Sequence, residues 1–444
     1  MTAFDQLSGA NLDAAVAAAS RSRILAPWSV QGHLPGITIT GGRGAELWDH
    51  EGRRWLDFTS QLVNANLGYQ HPALVAAITE QAATLTTISP ATANLARVRA
   101  AEAIVRHTPA ELDMVFFTNG GADAVENAIR LARLATGRAN VLSLYRSYHG
   151  NTGAAIVATG DWRRIPNEFA WGHRHVFGPY LYRSEFWATT EAEESERALR
   201  HLDHTIQAEG PDSIAAILME TIPGTAGVLV PPPGYLAGVR QIADRYGTLL
   251  ILDEVMAGFA RAGAWFALDL WDVTPDLMTF SKGVNSGYVP AGGVAISRPI
   301  AESFAERVFP GGLTYAGHPL AMAAIRANIE AMEADDVVAG AARLGTEILG
   351  PGLRQIAATC PLVGEVRGLG AFWAVELVSD RTTREPAGPA TMAKIAARAR
   401  ERGLLILTVA SRIHVAPPCI ITPDEARRGL AILAGVLDEV GREG

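Results

Sequence analysis

The sequence predicts an α/β fold: a large domain with a mostly parallel, seven-stranded sheet flanked by helices, and a smaller α+β domain formed by both termini. Beyond residue 95, helical stretches alternate with short apolar runs, a pattern typical of strands buried on both faces of a parallel sheet. The chain of 444 residues is long enough for about three domain-sized units. The predicted strands are MVFFT (114–118), VLSLY (141–145), AAIVAT (154–159), AAILME (215–220), TLLILDEV (248–255), LMTFS (277–281) and AGGVAIS (291–297).

The two ends of the chain show a different pattern. We expect a helix at 12–24, a loop PWSVQG that carries Trp28, a strand–turn–strand unit at 37–58 and a helix from Pro72 to about residue 85. After a long helix at 317–334 come GEVRGLGAFWAVEL, LLILTV and RIHVAPP as strands and a final helix at 423–441. The predicted division is an N-terminal segment (1–75) that packs with the small domain, a large domain (76–330) and a C-terminal small domain (331–444).

Composition excludes several classes of protein. A net charge of −8 argues against a nucleic-acid partner. Two cysteines, Cys360 and Cys419, do not support a disulfide framework. No uncharged apolar run reaches about 18 residues, and the start MTAFDQLSGANLD has no signal-peptide pattern, so we expect a cytoplasmic protein without a membrane partner.

Lysine is rare, which narrows the search for a reactive amine. Only Lys282 and Lys394 occur among 38 basic residues. Lys282 follows an apolar strand, and Asp253 ends another, so both are expected at the carboxyl edge of the sheet, where ligands bind in such folds. An amine beside a carboxylate there suits Schiff-base chemistry with a cationic ring. The alternatives are a surface lysine and, for Asp253, a helix cap or a Mg²⁺ ligand.

Two further segments could contact a cofactor. In TNGGADAVENAIR (118–130) a strand ends, two glycines follow and a helix begins, so free N–H groups at Gly121 and Ala122 suit a phosphate. A plain strand–helix turn is an equally good interpretation, and no nucleotide-binding glycine motif is present. In YRSYHG, Tyr148 is an aromatic side chain for stacking or for the core. The histidines show no metal-binding spacing, so no metal site is predicted.

Together these segments resemble the class III aminotransferases, pyridoxal 5'-phosphate enzymes of fold type I, over nearly the whole chain. The most specific stretch is LILDEVMAGFARAGAWFALDLWDVTPDLMTFSKGVNSGYVPAGGV, with Asp253 and Lys282 at the family's spacing. Supporting matches are TNGGADAVENAIR, YHG, METIPGTAGVLVPPPGYL, GLTYAGHPLA and RIHVAPPCIIT. The resemblance implies that Lys282 forms the Schiff base with the cofactor and that Asp253 binds the pyridinium nitrogen.

The resemblance also implies roles for the remaining positions. Tyr148 and Val255 would cover the two faces of the ring, Glu220 would line the cofactor pocket, and Gly121 and Ala122 would bind the phosphate. Thr314 would reach the phosphate of a neighbouring subunit, which implies a homodimer with shared sites. Trp28 would form a wall of the substrate pocket, with residues 61–66 close by, and Arg412 would bind a substrate carboxylate. Simple core packing for Trp28 and a structural salt bridge for Arg412 are the alternatives.

The phosphate segment departs from the family pattern. It reads Asn-Gly-Gly-Ala-Asp where the family usually has Asn-Ser-Gly-Ser-Glu, so two hydroxyl groups are missing. Each lost hydrogen bond would weaken cofactor binding by about 1 kcal/mol.

The activity implied is ping-pong transamination. An amine or ω-amino acid would donate the amino group to a 2-oxo acid such as pyruvate or 2-oxoglutarate, with Lys282 moving the proton. An aminomutase and a decarboxylating transaminase use the same Lys–Asp pair and stay open as alternatives. A pyridoxal-phosphate-binding protein without turnover and a nicotinamide dehydrogenase fit less well, since the Lys–Asp pair is intact and the dinucleotide fingerprint is absent.

Overall fold

The structure is a computed structural model, and it describes residues 6–34 and 36–443. The residues outside this description are 1–5, 35 and 444. They include the first residues of the predicted N-terminal segment (1–75) and the last residue of the predicted small domain (331–444).

The N-terminal part forms a small sheet and several helices. The turn between its second and third strands is fixed by Asp49, whose Oδ1 accepts the backbone N–H groups of Glu51 (3.0 Å) and Arg53 (2.9 Å). The predicted strand–turn–strand unit and both predicted helices are confirmed. The elements are α1 (Gly9–Arg23), β1 (Gly41–Arg43), β2 (Glu46–Trp48), β3 (Arg54–Asp57), α2 (Ser60–Val63), α3 (Pro72–Thr84) and α4 (Leu95–Val105).

The central part alternates strands and helices, as its apolar runs predict. The elements are β4 (Met114–Thr118), α5 (Gly121–Thr136), β5 (Asn140–Leu144), α6 (Gly153–Ala158), β6 (His173–Val176), α7 (Glu191–Glu209), β7 (Ile214–Glu220), α8 (Tyr235–Tyr246), β8 (Leu249–Asp253), β9 (Leu277–Phe280), β10 (Gly292–Ile296) and α9 (Arg298–Glu302). Every residue of β7, β9 and β10 is buried, which explains why these strands are apolar throughout.

These strands form one seven-stranded sheet in the order β4-β10-β9-β8-β7-β5-β6. The pairs β5–β6, β5–β7, β7–β8 and β8–β9 are parallel, whereas β10 runs antiparallel to both β4 and β9. The mostly parallel sheet predicted from the sequence is therefore confirmed. Because β7, β8 and β9 are adjacent and parallel, the residues at their carboxyl ends lie at one edge of the sheet.

One predicted strand is wrong. Residues 154–159 form helix α6 and its C-cap, and the seventh strand is His173–Val176, which is not among the predicted strands. The helix is stabilised at its N-terminus by Glu126, which accepts the N–H groups of Ala154 (2.8 Å) and Ala155 (3.2 Å). Its residues 154–158 are all buried, and a short apolar run does not distinguish a buried strand from a buried helix turn.

The C-terminal part adds a sheet of its own in the order β11-β12-β16-β15, with β13 paired to β12. Strand β14 instead pairs in parallel with β3 of the N-terminal sheet. The elements are α10 (Pro319–Ala334), α11 (Val337–Arg343), a π-helix (Leu344–Leu349), α12 (Gly350–Thr359), β11 (Val363–Leu369), β12 (Phe372–Asp380), β13 (Glu385–Pro386), α13 (Pro389–Glu401), β14 (Leu404–Leu405), β15 (Leu407–Val409), β16 (Arg412–Val415) and α14 (Pro423–Glu443).

Within the described part of the chain, no helix is both long enough and apolar enough to cross a membrane.

Candidate active site

The carboxyl ends of three neighbouring strands bring the predicted reactive residues together. Glu220 is the last residue of β7, and Asp253, the last residue of β8, is its direct partner across the ladder. Lys282 comes two residues after the end of the next strand, β9. The charges of Glu220 and Asp253 both raise the pKa of Lys282, which places the three groups within electrostatic reach of one another.

Asp253 is buried and fixed on both carboxylate oxygens. Its Oδ1 accepts the backbone N–H of Val255 (3.0 Å), and its Oδ2 lies 2.8 Å from Nδ1 of His149. The side chain of His149 is fully buried, so this pair is shielded from solvent. Each carboxylate oxygen has a second lone pair, which can accept a hydrogen bond from a cationic ring nitrogen.

Glu220 links the strand edge to the loop that carries Tyr148. Its Oε1 accepts the backbone N–H of Tyr148 (3.0 Å), and its Oε2 accepts that of Gly224 (2.8 Å). Burial raises the pKa of the Glu220 carboxyl to about 7, although these N–H groups and the charge of His149 oppose the shift. Glu220 therefore positions the aromatic ring beside the strand ends.

Lys282 has the chemical properties of a reactive amine. Burial and, to a lesser extent, the charge of Arg163 lower the pKa of its amine to about 8, although the charges of Glu220 and Asp253 oppose the shift. A neutral amine is thus available near neutral pH, both as a nucleophile and as a base. Its backbone φ of +44° is unusual for a residue with a side chain, and such strain is concentrated at functional sites.

The segment 60–66 lies against this lysine loop. A Cβ at Gly283 would lie 2.3 Å from Nδ2 of Asn66, so only glycine allows the approach. Asn66 donates from Nδ2 to the Phe259 carbonyl (2.7 Å) and accepts from Arg261 (2.5 Å). Asn66 therefore lies directly against Gly283, the residue after Lys282.

The N-terminus of α5 lies beside the strand ends and forms a cradle of backbone N–H groups, the kind of donor that an anion accepts. Gly121 and Ala122 begin this 16-residue helix, where backbone N–H groups have no intrahelical partner. A Cβ at Gly121 would lie 2.9 Å from Cγ1 of Val255, so the cradle contacts the segment after Asp253. Gly150 approaches Ala122 equally closely, since a Cβ there would lie 2.5 Å from the Cβ of Ala122.

Three side chains form an aromatic and cationic wall next to this cradle. The ring of Trp28 meets that of Tyr148 edge to face at 6.2 Å. The guanidinium carbon of Arg163 lies 3.7 Å from the centre of the Tyr148 ring and 5.9 Å from that of Trp28. We name Trp28, Tyr148 and Arg163 the entrance wall.

Arg412 lies at the start of β16, opposite Glu376 of β12. Glu376 accepts hydrogen bonds from Arg367 (2.9 Å) and Tyr180 (3.2 Å), and Arg367 also pairs with Glu365. Within residues 6–34 and 36–443, Arg412 has no salt bridge, and its Nε is buried without a partner.

Thr314 lies apart from these groups on an exposed loop before α10. Its place on the surface of a single chain is compatible with contact to a second subunit.

The sequence missed two residues of this arrangement. His149 lies directly after Tyr148 in the segment YHG, and this adjacency is the only feature of the sequence that points to a role at the site. Arg163 lies in a 3₁₀ turn (Trp162–Asn167), and no spacing rule connects it with Tyr148, 15 positions earlier in the chain.

One group of acidic residues in the described chain could hold a cation, Asp13, Asp49 and Glu51. His50 already pairs with Asp13 (2.6 Å), and Arg53 pairs with both Asp49 (2.6 Å) and Glu51 (3.2 Å), so all three carboxylates have cationic or hydrogen-bonding partners.

The residues at the strand ends fit a phosphorylated pyridine aldehyde. Lys282 offers an amine for the aldehyde, Asp253 a carboxylate for the ring nitrogen, and the N-terminus of α5 a cradle for the phosphate. The cradle offers backbone N–H groups to the phosphate, and a Cβ at Gly121 or Gly150 would crowd it.

Comparison with known proteins agrees with this site. The model of the family Aminotransferase class-III matches residues 28–437. The structure of taurine:2-oxoglutarate aminotransferase from Bifidobacterium kashiwanohense, solved with PLP and glutamate, superposes with a TM-score of 0.94 at 40% identity, covering 98% of this chain and 99% of that one. An (S)-enantioselective ω-transaminase from Thermomicrobium roseum gives a TM-score of 0.91 at 34% identity, covering 96% and 98%.

The 5-aminovalerate aminotransferase of Pseudomonas aeruginosa is 33% identical over 417 residues, which are 92% of this chain and 95% of that protein. The chain belongs to the class III aminotransferases. Pyridoxal-phosphate-dependent transamination, as predicted from the sequence, is the activity of this family, and pyridoxal 5'-phosphate is its cofactor. These relatives are named as aminotransferases or transaminases, which does not favour the aminomutase, the decarboxylating enzyme or the non-catalytic binder.

Proposed function

We propose that this aminotransferase moves the amino group of an amine or ω-amino acid to a 2-oxo acid such as pyruvate or 2-oxoglutarate. The observation that carries the proposal is the meeting of Lys282, Asp253 and Glu220 at three adjacent strand ends. The cofactor, when bound, supplies an aldehyde and a pyridinium ring that withdraws electrons from the substrate carbon.

The residues would divide the work as follows. Lys282 would hold the cofactor covalently and, once released by a substrate amine, would move a proton to and from the substrate carbon. The carboxylate of Asp253, supported by His149, would keep the ring nitrogen protonated. Tyr148 and Val255 would pack against the ring, and Gly121 and Ala122 would donate backbone N–H groups to the phosphate.

Arg412 would bind the carboxylate of the 2-oxo acid. A buried guanidinium needs a partner, and Glu376, the nearest carboxylate across the strand pair, already accepts from Arg367. Burial lowers the pKa of Arg412, and the charge of Glu376 opposes the shift, so the group remains a cation. A cation without a salt-bridge partner favours an anionic ligand.

The functional unit proposed is a homodimer in the cytoplasm, with Thr314 of each chain completing the phosphate site of the other. The proposed division into 1–75, 76–330 and 331–444 is supported by the pairing of β14 with β3, which joins the two ends of the chain.

The test is the absorption spectrum of the protein loaded with pyridoxal phosphate, recorded with amines and without acceptor. We expect the cofactor band to bleach with suitable donors and to return with pyruvate or 2-oxoglutarate. Arg412→Met should raise the KM of the 2-oxo acid by about 10- to 100-fold and leave donor bleaching unchanged. A band that no amine bleaches would contradict the proposed function, and an unchanged acceptor KM would contradict the role of Arg412.

A further inference from the structure

We propose that Arg261 is a positioning residue for Lys282, because its buried guanidinium holds Asn66 against the loop that carries the lysine. Arg261 itself lies in the loop that follows β8 and Asp253. The inference rests on the proposed function, since it explains how the chain places the lysine that would bind the cofactor.

The first support is the environment of the Arg261 side chain, which is fully buried. Burial lowers its pKa, but a guanidinium stays charged in proteins. Its hydrogen-bond acceptors in the described chain are all neutral: the carbonyls of Ala371 (3.0 Å) and Pro417, the hydroxyl of Ser60 (3.0 Å) and the amide oxygen of Asn66 (2.5 Å). A buried cation is costly unless it is hydrogen-bonded, so these four contacts favour one arrangement of the segments around it.

The second support is that the acceptors come from separate parts of the chain. Ala371 lies in the turn between β11 and β12, and Pro417 follows β16, so both belong to the C-terminal part. Ser60 and Asn66 belong to the N-terminal part. The backbone N–H of Ala371 also donates to the carbonyl of Arg261 (3.0 Å). One arginine therefore couples the loop after Asp253 to both ends of the chain.

The third support is backbone strain in the segment 60–66. Positive φ angles occur at three of its residues, Ser60 (+44°), Gln61 (+54°) and Val63 (+59°). Such a conformation is unfavourable for residues with side chains and persists only where the surroundings fix it. The Nη2 atom of Arg261 donates to both ends of the segment, at Ser60 and at Asn66. Removal of the guanidinium should therefore release the segment.

The fourth support is the contact between this segment and the loop that carries Lys282. The contacts are the approach of Asn66 to Gly283, the hydrogen bond from the Leu67 N–H to Oγ of Ser286 (2.9 Å), and the approach of Asn64 to Gly287, where a Cβ would lie 3.0 Å away. Lys282 has a positive φ of its own, so its conformation also depends on its surroundings. A released segment should therefore let the amine leave its buried position.

Arg261 would act through position and not through its charge. Among the described residues, the charges that shift the pKa of Lys282 are those of Glu220, Asp253 and Arg163. Burial is the largest cause of the lowered pKa, so an amine that leaves its buried position should regain a pKa closer to 10.5. The pKa of Lys282 therefore reports whether the loop is still held.

The experiment compares Arg261→Met with Arg138→Met. Arg138 is the matched control because its guanidinium also donates to backbone carbonyls, those of Ile214 (3.1 Å), Tyr246 (3.1 Å) and Gly247 (3.0 Å). Ile214 begins β7 and Gly247 precedes β8, so this arginine lies at the opposite edge of the sheet from Lys282.

The first readout is the kinetics of the loaded enzyme with β-alanine and a fixed acceptor. Arg261→Met should lower kcat by about 10- to 100-fold and change the KM of β-alanine by less than about threefold, because the base is misplaced and the substrate contacts remain. Arg138→Met should leave both values near those of the wild type. Arg261→Lys should restore part of the loss in kcat, since it keeps the charge and can still donate hydrogen bonds.

The second readout is the acylation of Lys282 by acetic anhydride against pH, in the full-length protein without cofactor. The midpoint should lie near pH 8 in the wild type and in Arg138→Met, and rise by at least about one pH unit in Arg261→Met. Asn66→Ala leaves Arg261 three of its acceptors but removes the contact with Gly283, so it should raise the midpoint as well. This variant decides the question if Arg261→Met does not fold.

The outcomes separate two failures. If borohydride reduction of the loaded wild type leaves Lys282 unmodified, the role of this lysine in the proposed function is wrong. If Lys282 is modified but its acylation midpoint stays near pH 8 in Asn66→Ala, Arg261 does not act through Asn66 and the positioning role is wrong. An equal rise of the midpoint in Arg138→Met would also overturn it, because a general loosening of the fold would then explain the shift.

Discussion

The two sides of the site are built differently. On the cofactor side, Glu220 and Asp253 are the last residues of buried strands. The register of the sheet pairs them with each other, and backbone N–H groups hold their carboxylates in place. On the substrate side, Trp28 and Arg163 lie on loops, and Trp28 is 54% exposed in the single chain. From this comparison we expect the sheet to fix the chemistry and the loops to set the choice of substrate. Changes on the cofactor side should therefore cost turnover, and changes on the entrance wall should redistribute activity among substrates.

The largest expected effect comes from Lys282→Ala. Without the amine, the chain loses both its covalent attachment to the cofactor and its base, so turnover should fall by at least about 10⁴-fold. Lys394→Ala is the matched control, because the other lysine is exposed and pairs with Glu443 (3.0 Å). Initial rates with β-alanine and 2-oxoglutarate check both variants, and a Lys282→Ala protein that turned over like Lys394→Ala would refute the assignment.

The next effect distinguishes two adjacent carboxylates. Asp253→Asn should reduce turnover by about 10²- to 10³-fold, since the neutral amide does not hold the ring nitrogen protonated. Glu254 is also buried, but its oxygens accept the N–H groups of Ala267 (2.9 Å) and Leu268 (2.8 Å). Glu254→Gln should thus lower Tm and leave the turnover of the folded fraction near that of the wild type. Single-turnover rates and thermal melts measure the two effects, and equal losses of rate would contradict the distinction.

A smaller expected effect is the pH dependence of Lys282 itself. Because its pKa is lowered from the 10.5 of an ordinary lysine to about 8, its neutral form predominates above about pH 8. In the cofactor-free protein, acylation of Lys282 by acetic anhydride should therefore rise with a midpoint near pH 8. Peptide mass spectrometry against pH measures it, and a midpoint near 10.5 would show that burial does not perturb this amine.

The smallest effect is expected on the entrance wall. Trp28→Ala removes one edge-to-face aromatic contact, so kcat/KM for β-alanine should change by at most about tenfold. Trp162→Ala is the control, since this tryptophan adjoins Arg163 in sequence and is 67% exposed. A loss with Trp28→Ala as large as that with Asp253→Asn would remove the contrast between the two sides.

The cofactor side of the site could be predicted from the sequence, whereas the substrate side could be predicted only in part. Asp253 and Glu220 each follow a run of apolar residues in the sequence. This local pattern predicts a buried strand, and it therefore also predicts that the two carboxylates lie at the edge of the sheet. Residues 154–159 were wrongly predicted as a strand, because a buried helix is as apolar as a buried strand. The approach of Arg163 to Tyr148 depends on loop conformation, which no periodicity encodes.

The central claim is that the strand-end site attaches pyridoxal phosphate through Lys282. The most direct test is to load the protein with pyridoxal phosphate, reduce it with borohydride and map the modified peptides. With only two lysines in the chain, the result is unambiguous. The account predicts the phosphopyridoxyl group on the peptide that contains Lys282. Its absence there, or equal modification of Lys394, would contradict the account.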